Sequence, residues 1–150
     1  MGSDGIEAIR GAASAEGRRA MRLLVVDDMP VMRELMSAIA RAAFQHAEIQ
    51  AADNMASALE TASNMQTLDM VLLDLGLPDC KGVESVLSFR ETFPHTNIVV
   101  VSLNDTQDVI AAAMRAGATG FVPKTFTEAE MVTALRVVAN GGVYQPHRVA

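Results

Sequence analysis

From Met21 onward, short continuous apolar runs alternate with stretches in which apolar residues recur every three or four positions. The first kind of run predicts strands, and the second predicts amphipathic helices packed on them. Strands are predicted at Leu23–Val26, Glu48–Ala52, Met70–Leu73, Asn97–Val101 and Gly120–Val122. The first, third and fourth are apolar throughout, as suits central parallel strands covered on both faces. The second, EIQAA, is shorter in apolar content and belongs at an edge.

Helices fill the gaps. Pro30 suits the first turn of a helix carrying Val31, Leu35, Met36 and Ile39 on one face. Residues 54–63 form a second, capped by Asp53 or Asn54. Val83, Val86, Leu87 and Phe93 mark a third, stopped before Pro94. Val109, Ile110, Ala113 and Met114 mark a fourth, with Gly117 just beyond its end. The fifth opens with Thr127-Glu128-Ala129-Glu130, a capping box, continues through Met131, Leu135 and Val138, and ends at Asn140-Gly141-Gly142. Five such units predict an α/β, doubly wound (βα)5 fold of flavodoxin-like type. Its five-stranded parallel sheet takes the order 2-1-3-4-5, with the ligand site at the C-terminal strand ends. Residues 1–20, rich in Gly, Ala and Ser, read as a poorly ordered leader, open to being partly a cloning remnant, with a weak helical signal over Ile6–Arg10. The domain proper spans 21–146, and 147–150 read as a tail or linker stub.

Composition narrows the chemistry. A net charge of -6 and a pI near 4.9 oppose nucleic-acid binding by this chain, because phosphates need a basic face. The single Cys80 excludes an internal disulfide or thiolate cluster, and it is assigned no role. His46, His95 and His147 form no ligand motif. Met32, Met36, Met55, Met65 and Met70 read as core filler. No apolar run approaches membrane-spanning length and no signal-peptide core is present, so a soluble cytoplasmic protein is expected.

The residues at the strand ends carry the chemistry. The first strand delivers Asp27 and Asp28, the third Asp74, the fourth Ser102 and the fifth Lys124. In a parallel sheet these ends share one edge, so three carboxylates, a hydroxyl and an ammonium converge. Adjacent carboxylates repel and resist desolvation. A hard divalent cation, Mg²⁺ or Mn²⁺, would neutralise them, with Lys124 offsetting another part.

VVDDMP, VLLDLGLPDCKG, VVVSLND and AGATGFVPKTFT, in this order, resemble the receiver domain of two-component response regulators, of the CheY-like kind. Pro78 and Gly82, four and eight residues after Asp74, match the family's loop after its phosphorylated aspartate. The resemblance implies that Asp74 is the phospho-acceptor, loaded by a sensor histidine kinase or phosphotransfer protein. It implies Asp28 and Asp74 as direct metal ligands, Asp27 acting directly or through water, and the Gly76 backbone carbonyl as a further oxygen. Lys124 would pair with Asp74 at rest and with the phosphoryl group afterwards. Ser102 would bond a phosphoryl oxygen, and Phe121 matches the aromatic switch whose ring turns inward when that hydroxyl moves. The output would be a changed surface on the fourth helix, fifth strand and fifth helix, read by a partner or a second copy.

Departures bear on this reading. Pro123 precedes Lys124 and Thr125 follows it, so a lysine–proline cis bond cannot form and Val122–Pro123 is left as the cis candidate. Phe121 lacks a hydroxyl, so its ring can switch through burial only. Gly76 and Asn104 occupy positions that tune phosphoryl lifetime in the family. Blander roles stand beside these: Asp27-Asp28 as a solvated turn, Lys124 as an ordinary surface lysine, Ser102 as a loop cap and Phe121 as plain core.

Rival functions fit less well. A haloacid-dehalogenase-type phosphohydrolase needs a second acid two residues after its nucleophile, where Gly76 stands, and room for a cap domain. A flavodoxin-like electron carrier needs a phosphate-binding loop after the first strand, where DDMPV offers carboxylates. The acceptor is therefore read as no enzyme, beyond assisting its own phosphorylation and dephosphorylation. The ending ALRVVANGGVYQP resembles receivers attached to helix-turn-helix domains of the NarL/LuxR type. The expectation is the receiver portion of a transcription regulator, with a stand-alone receiver acting through protein contacts as the alternative.

Overall fold

The structure is a computed structural model that describes residues 19–146. The helical signal at Ile6–Arg10 and the stub at 147–150 lie outside the described residues. Backbone pairing defines β1 (Arg22–Val26), α1 (Pro30–Ala43), β2 (Glu48–Ala52), α2 (Met55–Asn64) and β3 (Met70–Asp74). These are followed by α3 (Val83–Thr92), β4 (Asn97–Ser102), α4 (Gln107–Ala116), β5 (Gly120–Pro123) and α5 (Glu128–Ala139). The strands pair in parallel in the order β2-β1-β3-β4-β5, as the apolar pattern predicts, with polar β2 at one edge. Strands β3, β4 and β5 each run one residue beyond the apolar stretch, to Asp74, Ser102 and Pro123. Asp74 and Ser102 therefore stand within the sheet's own register rather than on a loose loop.

Side chains alternate across a strand, so the central strands feed two apolar layers. Leu24, Val26, Leu73, Val100 and Phe121 pack under α2, α3 and α4. Leu23, Val25, Leu72, Val101 and Val122 pack under α1 and α5. Two expected core positions are corrected. On α1 the buried stripe passes through Met36, Ile39, Ala40 and Ala43, which leaves Val31 on the solvent side at 74% exposed. On α3 the stripe is Ser85, Val86 and Phe89, and Leu87, one residue round the helix from Val86, is exposed. Ser85 is tolerated inside because its hydroxyl donates to the Gly82 carbonyl at 2.6 Å.

Caps fix the helix ends. Asn54, not Asp53, caps α2, its side-chain oxygen accepting from Ser57 N–H at 2.8 Å. Thr127 and Glu130 complete the predicted capping box of α5 in both directions. Gly117 ends α4 at φ 118°, and a Cβ there would lie 2.9 Å from the Arg90 side chain. Arg90 donates to the carbonyls of Gly117, Phe93 and Pro94, tying the ends of α3 and α4 together. The Val122–Pro123 bond is trans, correcting the cis candidate, because Pro123 continues extended pairing opposite Ser102. No helix among the described residues is long and apolar enough to cross a membrane.

Candidate functional site

Asp27 follows β1 and keeps its pairing, its N–H donating to the Ala52 carbonyl at 3.1 Å. That pairing holds it at 3% exposure, while Asp28, the next residue, is exposed. The two adjacent aspartates thus differ in kind. One Asp27 oxygen, Oδ1, accepts from Met29 N–H at 2.9 Å, and the other, Oδ2, lies 3.0 Å from Lys124 Nζ. Lys124 Nζ also lies 3.2 Å from Asp74 Oδ1. Asp27, Asp28 and Asp74 each bring one carboxylate oxygen within 4.8 Å of the others. The three strand ends therefore meet as expected, and the surface-lysine reading of Lys124 does not hold.

The electrostatics follow from this crowding. Burial and then the Asp27 charge push the Asp74 carboxyl above its ordinary value, against the opposing pull of Lys124 and of the Gly76 N–H. Burial alone would lower the Lys124 ammonium, but the two carboxylates outweigh it and hold the group above its ordinary value. Three carboxylates against one ammonium leave a local excess of negative charge. The donor set fits a hard divalent cation, because oxygen ligands converge and the exposed Asp28 leaves one side open to water.

Gly76 stands beside this cluster, where a Cβ would lie 3.3 Å from Asp74 Oδ2, so its lack of a side chain leaves the carboxylate uncrowded. The loop from Leu75 to Gly82 closes on itself, with Gly82 N–H donating to the Leu75 carbonyl at 2.7 Å. Its tip is held by Asp79, whose two oxygens accept from Met55 N–H at 2.8 Å and Ala56 N–H at 2.9 Å at the start of α2. Those two bonds lower the Asp79 carboxyl below its ordinary value. Neither Asp79 nor Arg33, which donates to the Asp27 carbonyl at 2.8 Å, was singled out from the sequence. Both act on backbone groups distant in sequence or set by a turn, and only an acid beside Pro78 hinted at the first.

Ser102 is buried, and its Oγ accepts from Asn104 N–H at 3.0 Å, so it does cap its loop. It also borders a cleft of about 420 Å³ shared with Asp28, Asp74, Gly76, Asn104 and Lys124. Met29, Leu75, Val83, Leu103 and Val109 form the apolar part of the wall. Phe121 does not line the cleft. Its ring is fully buried beneath α4, already inward in this structure. Cys80 packs against the same layer and does not line the cleft.

The family model described as the response regulator receiver domain matches residues 23–136. The glycerol metabolism activator of Pseudomonas putida is 30% identical over 125 residues, covering 83% of this chain and 57% of that one. The nitrate/nitrite response regulator protein NarL of Escherichia coli (strain K12) is 28% identical over 119 residues, covering 79% of this chain and 55% of that one. The chain therefore spans less than two thirds of the length of either relative. Among solved structures, a LuxR-family two-component response regulator from Aurantimonas sp. SI85-9A1 aligns with a TM-score of 0.75 at 26% identity, over 84% of this chain and 89% of that one. A CheY-like receiver domain protein from Methanospirillum hungatei JF-1 shares the fold, with a TM-score of 0.73 at 19% identity over 81% and 95%.

Proposed function

This chain belongs to the response regulator receiver family, related to the NarL/LuxR-type regulators, and from that premise we propose that it accepts a phosphoryl group on Asp74. The observation that carries the reading is the shared ammonium: Lys124 Nζ lies 3.2 Å from Asp74 Oδ1, with two further carboxylates beside it. A carboxylate oxygen of Asp74 bonds to phosphorus as the donor's bond to phosphorus breaks. Asp27, Asp28 and Asp74, with the Gly76 carbonyl, would hold Mg²⁺ or Mn²⁺. When bound, the cation supplies positive charge that offsets the carboxylates and the transferring oxygens.

The chain's own groups do the rest. Asp27 keeps Lys124 in place as its ammonium exchanges Asp74 for a phosphoryl oxygen. Ser102 accepts through Oγ from Asn104, which leaves its hydroxyl proton for a phosphoryl oxygen. Met29, Val83 and Leu103 give the cleft an apolar rim beside the position of the acyl phosphate.

The phosphodonor is a sensor histidine kinase or phosphotransfer protein, and the switched surface is the face formed by α4, β5 and α5. Output is transcription control through a DNA-binding domain elsewhere in a longer protein, or a second copy docking on that face. The relatives support this, being longer than this chain and including proteins named as transcriptional regulatory proteins. Beryllofluoride, a phosphoryl mimic, tests the reading: with Mg²⁺ it should bind wild type and perturb Ser102 and Lys124 in NMR spectra, and it should not bind Asp74→Asn. Binding retained in that variant would overturn the assignment.

A further inference from the structure

Strand β5 is the outer strand of the sheet, paired only with β4 among the five. Lys124 N–H donates inward to the Ser102 carbonyl at 2.9 Å, so by alternation Phe121 and Pro123 present their backbone groups to the outer edge. Pro123 has no N–H, so pairing cannot extend there. The remaining donor, Phe121 N–H, is taken by the Tyr144 carbonyl at 2.8 Å, and Tyr144 N–H donates to the Thr119 carbonyl at 3.0 Å. The chain returns to this edge through a turn that requires glycine twice. Gly141 has φ 90°, and a Cβ on Gly142 would lie 2.8 Å from Val137 Cγ1 and 2.9 Å from the Val137 carbonyl oxygen.

The segment crosses the face from side to side. The Tyr144 ring stands edge-on to Phe126 at 6.3 Å, beside the start of α5. Gln145 and Pro146 border a cleft of about 270 Å³ with Gln107, Ile110 and Ala111 of α4. Residues 143–146 thus lie across the surface assigned above to output, and they grip the backbone of Phe121. Its ring is already buried, so in this state the outer edge of β5 is where a further partner change is possible.

We propose that residues 143–146 are a displaceable edge strap, docked on β5 at rest and released when Asp74 carries a phosphoryl group. The inference rests on the phospho-acceptor reading above. Phosphorylation redirects Lys124 and Ser102, and Ser102 pairs with Pro123 and bonds the Lys124 backbone. Strand β5 is four residues long, so a shift at that end reaches Phe121 within the same strand. Two backbone bonds, one ring contact and the packing of a partly buried Tyr144 against one apolar layer hold the strap, whereas β5 itself is held along its length by β4 and by both apolar layers. The strap is the part that yields first.

Amide hydrogen exchange tests this in the full chain, with intact mass recorded on the same samples before and after acetyl phosphate and Mg²⁺. At rest the Phe121 and Tyr144 amides should be protected. In the phosphorylated sample both should exchange at least about ten-fold faster, while Val99 and Val100 in β4 stay unchanged. Tyr144→Ala should speed Phe121 exchange without phosphorylation, leave the β4 amides unchanged and still take up the phosphoryl group. A confirmed adduct with unchanged Phe121 and Tyr144 exchange overturns the strap and leaves the acceptor reading standing. Absence of any adduct overturns both, and unprotected Phe121 and Tyr144 amides in the unphosphorylated wild type overturn the docking itself.

Discussion

Lys124 Nζ lies 3.0 Å from Asp27 Oδ2 and 3.2 Å from Asp74 Oδ1, so one ammonium serves two buried carboxylates. Removing it would leave two like charges facing each other out of water. Lys124→Ala is therefore expected to destabilise the fold by about 2–4 kcal/mol at neutral pH without divalent cation. The lysine's folded-state value is raised, so its contribution is full below the ordinary lysine range and fades as pH rises through the raised value. Urea denaturation of wild type and variant at several pH values measures both; a neutral-pH difference under about 0.5 kcal/mol would contradict the shared pairing.

Asp74 carries the opposite sign. Its folded-state value is raised by burial and by Asp27, so the folded protein holds that proton more tightly than the unfolded chain. Stability thus falls as pH rises from the ordinary aspartate value through the raised one, and the penalty persists above it. In metal-free buffer Asp74→Asn should melt about 3–6 °C higher than wild type at pH 7. The difference should shrink as pH drops toward the ordinary aspartate range. Thermal denaturation followed by circular dichroism would show it, and a lower melting temperature for the variant would count against the like-charge account.

Asp28 is exposed and forms no ion pair among the described residues, yet its carboxylate converges with the other two. Its removal should therefore affect metal more than fold. Asp28→Asn should weaken Mg²⁺ binding by about ten-fold or more, as judged by calorimetry, while changing stability by less than about 0.5 kcal/mol. Unchanged Mg²⁺ affinity would remove Asp28 from the ligand set.

Gly76 leaves room beside Asp74 Oδ2 that a methyl group would contest at 3.3 Å. Gly76→Ala should slow phosphoryl uptake from a small donor several-fold, with the far-UV spectrum unchanged. Time-resolved intact mass measures the rate, and an unaltered rate would show that the approach to Asp74 is not limited at this point.

The sheet order and the meeting of Asp27, Asp28, Asp74, Ser102 and Lys124 were legible because continuous apolar runs mark central parallel strands, and parallel strands put all their C-terminal ends on one edge. Errors arose where periodicity was ambiguous by a single position. Val31 and Leu87 each sit next to a buried stripe, and Ser85 takes a core position because a local hydrogen bond satisfies its hydroxyl. Asp79 escaped notice because it serves the start of α2 across 24 residues, a relation with no local signature. The return of Tyr144 to β5 was likewise invisible: Gly141 and Gly142 announced a turn, but only the open edge of the sheet gives that turn a destination.

The central claim is that Asp74 accepts a phosphoryl group with help from a divalent cation. Intact mass of wild type and Asp74→Asn after incubation with acetyl phosphate, with and without Mg²⁺, tests it most directly. The account predicts a single phosphoryl adduct on wild type that requires Mg²⁺ and is absent from the variant. An adduct on Asp74→Asn, or none on folded wild type with Mg²⁺ present, would contradict it.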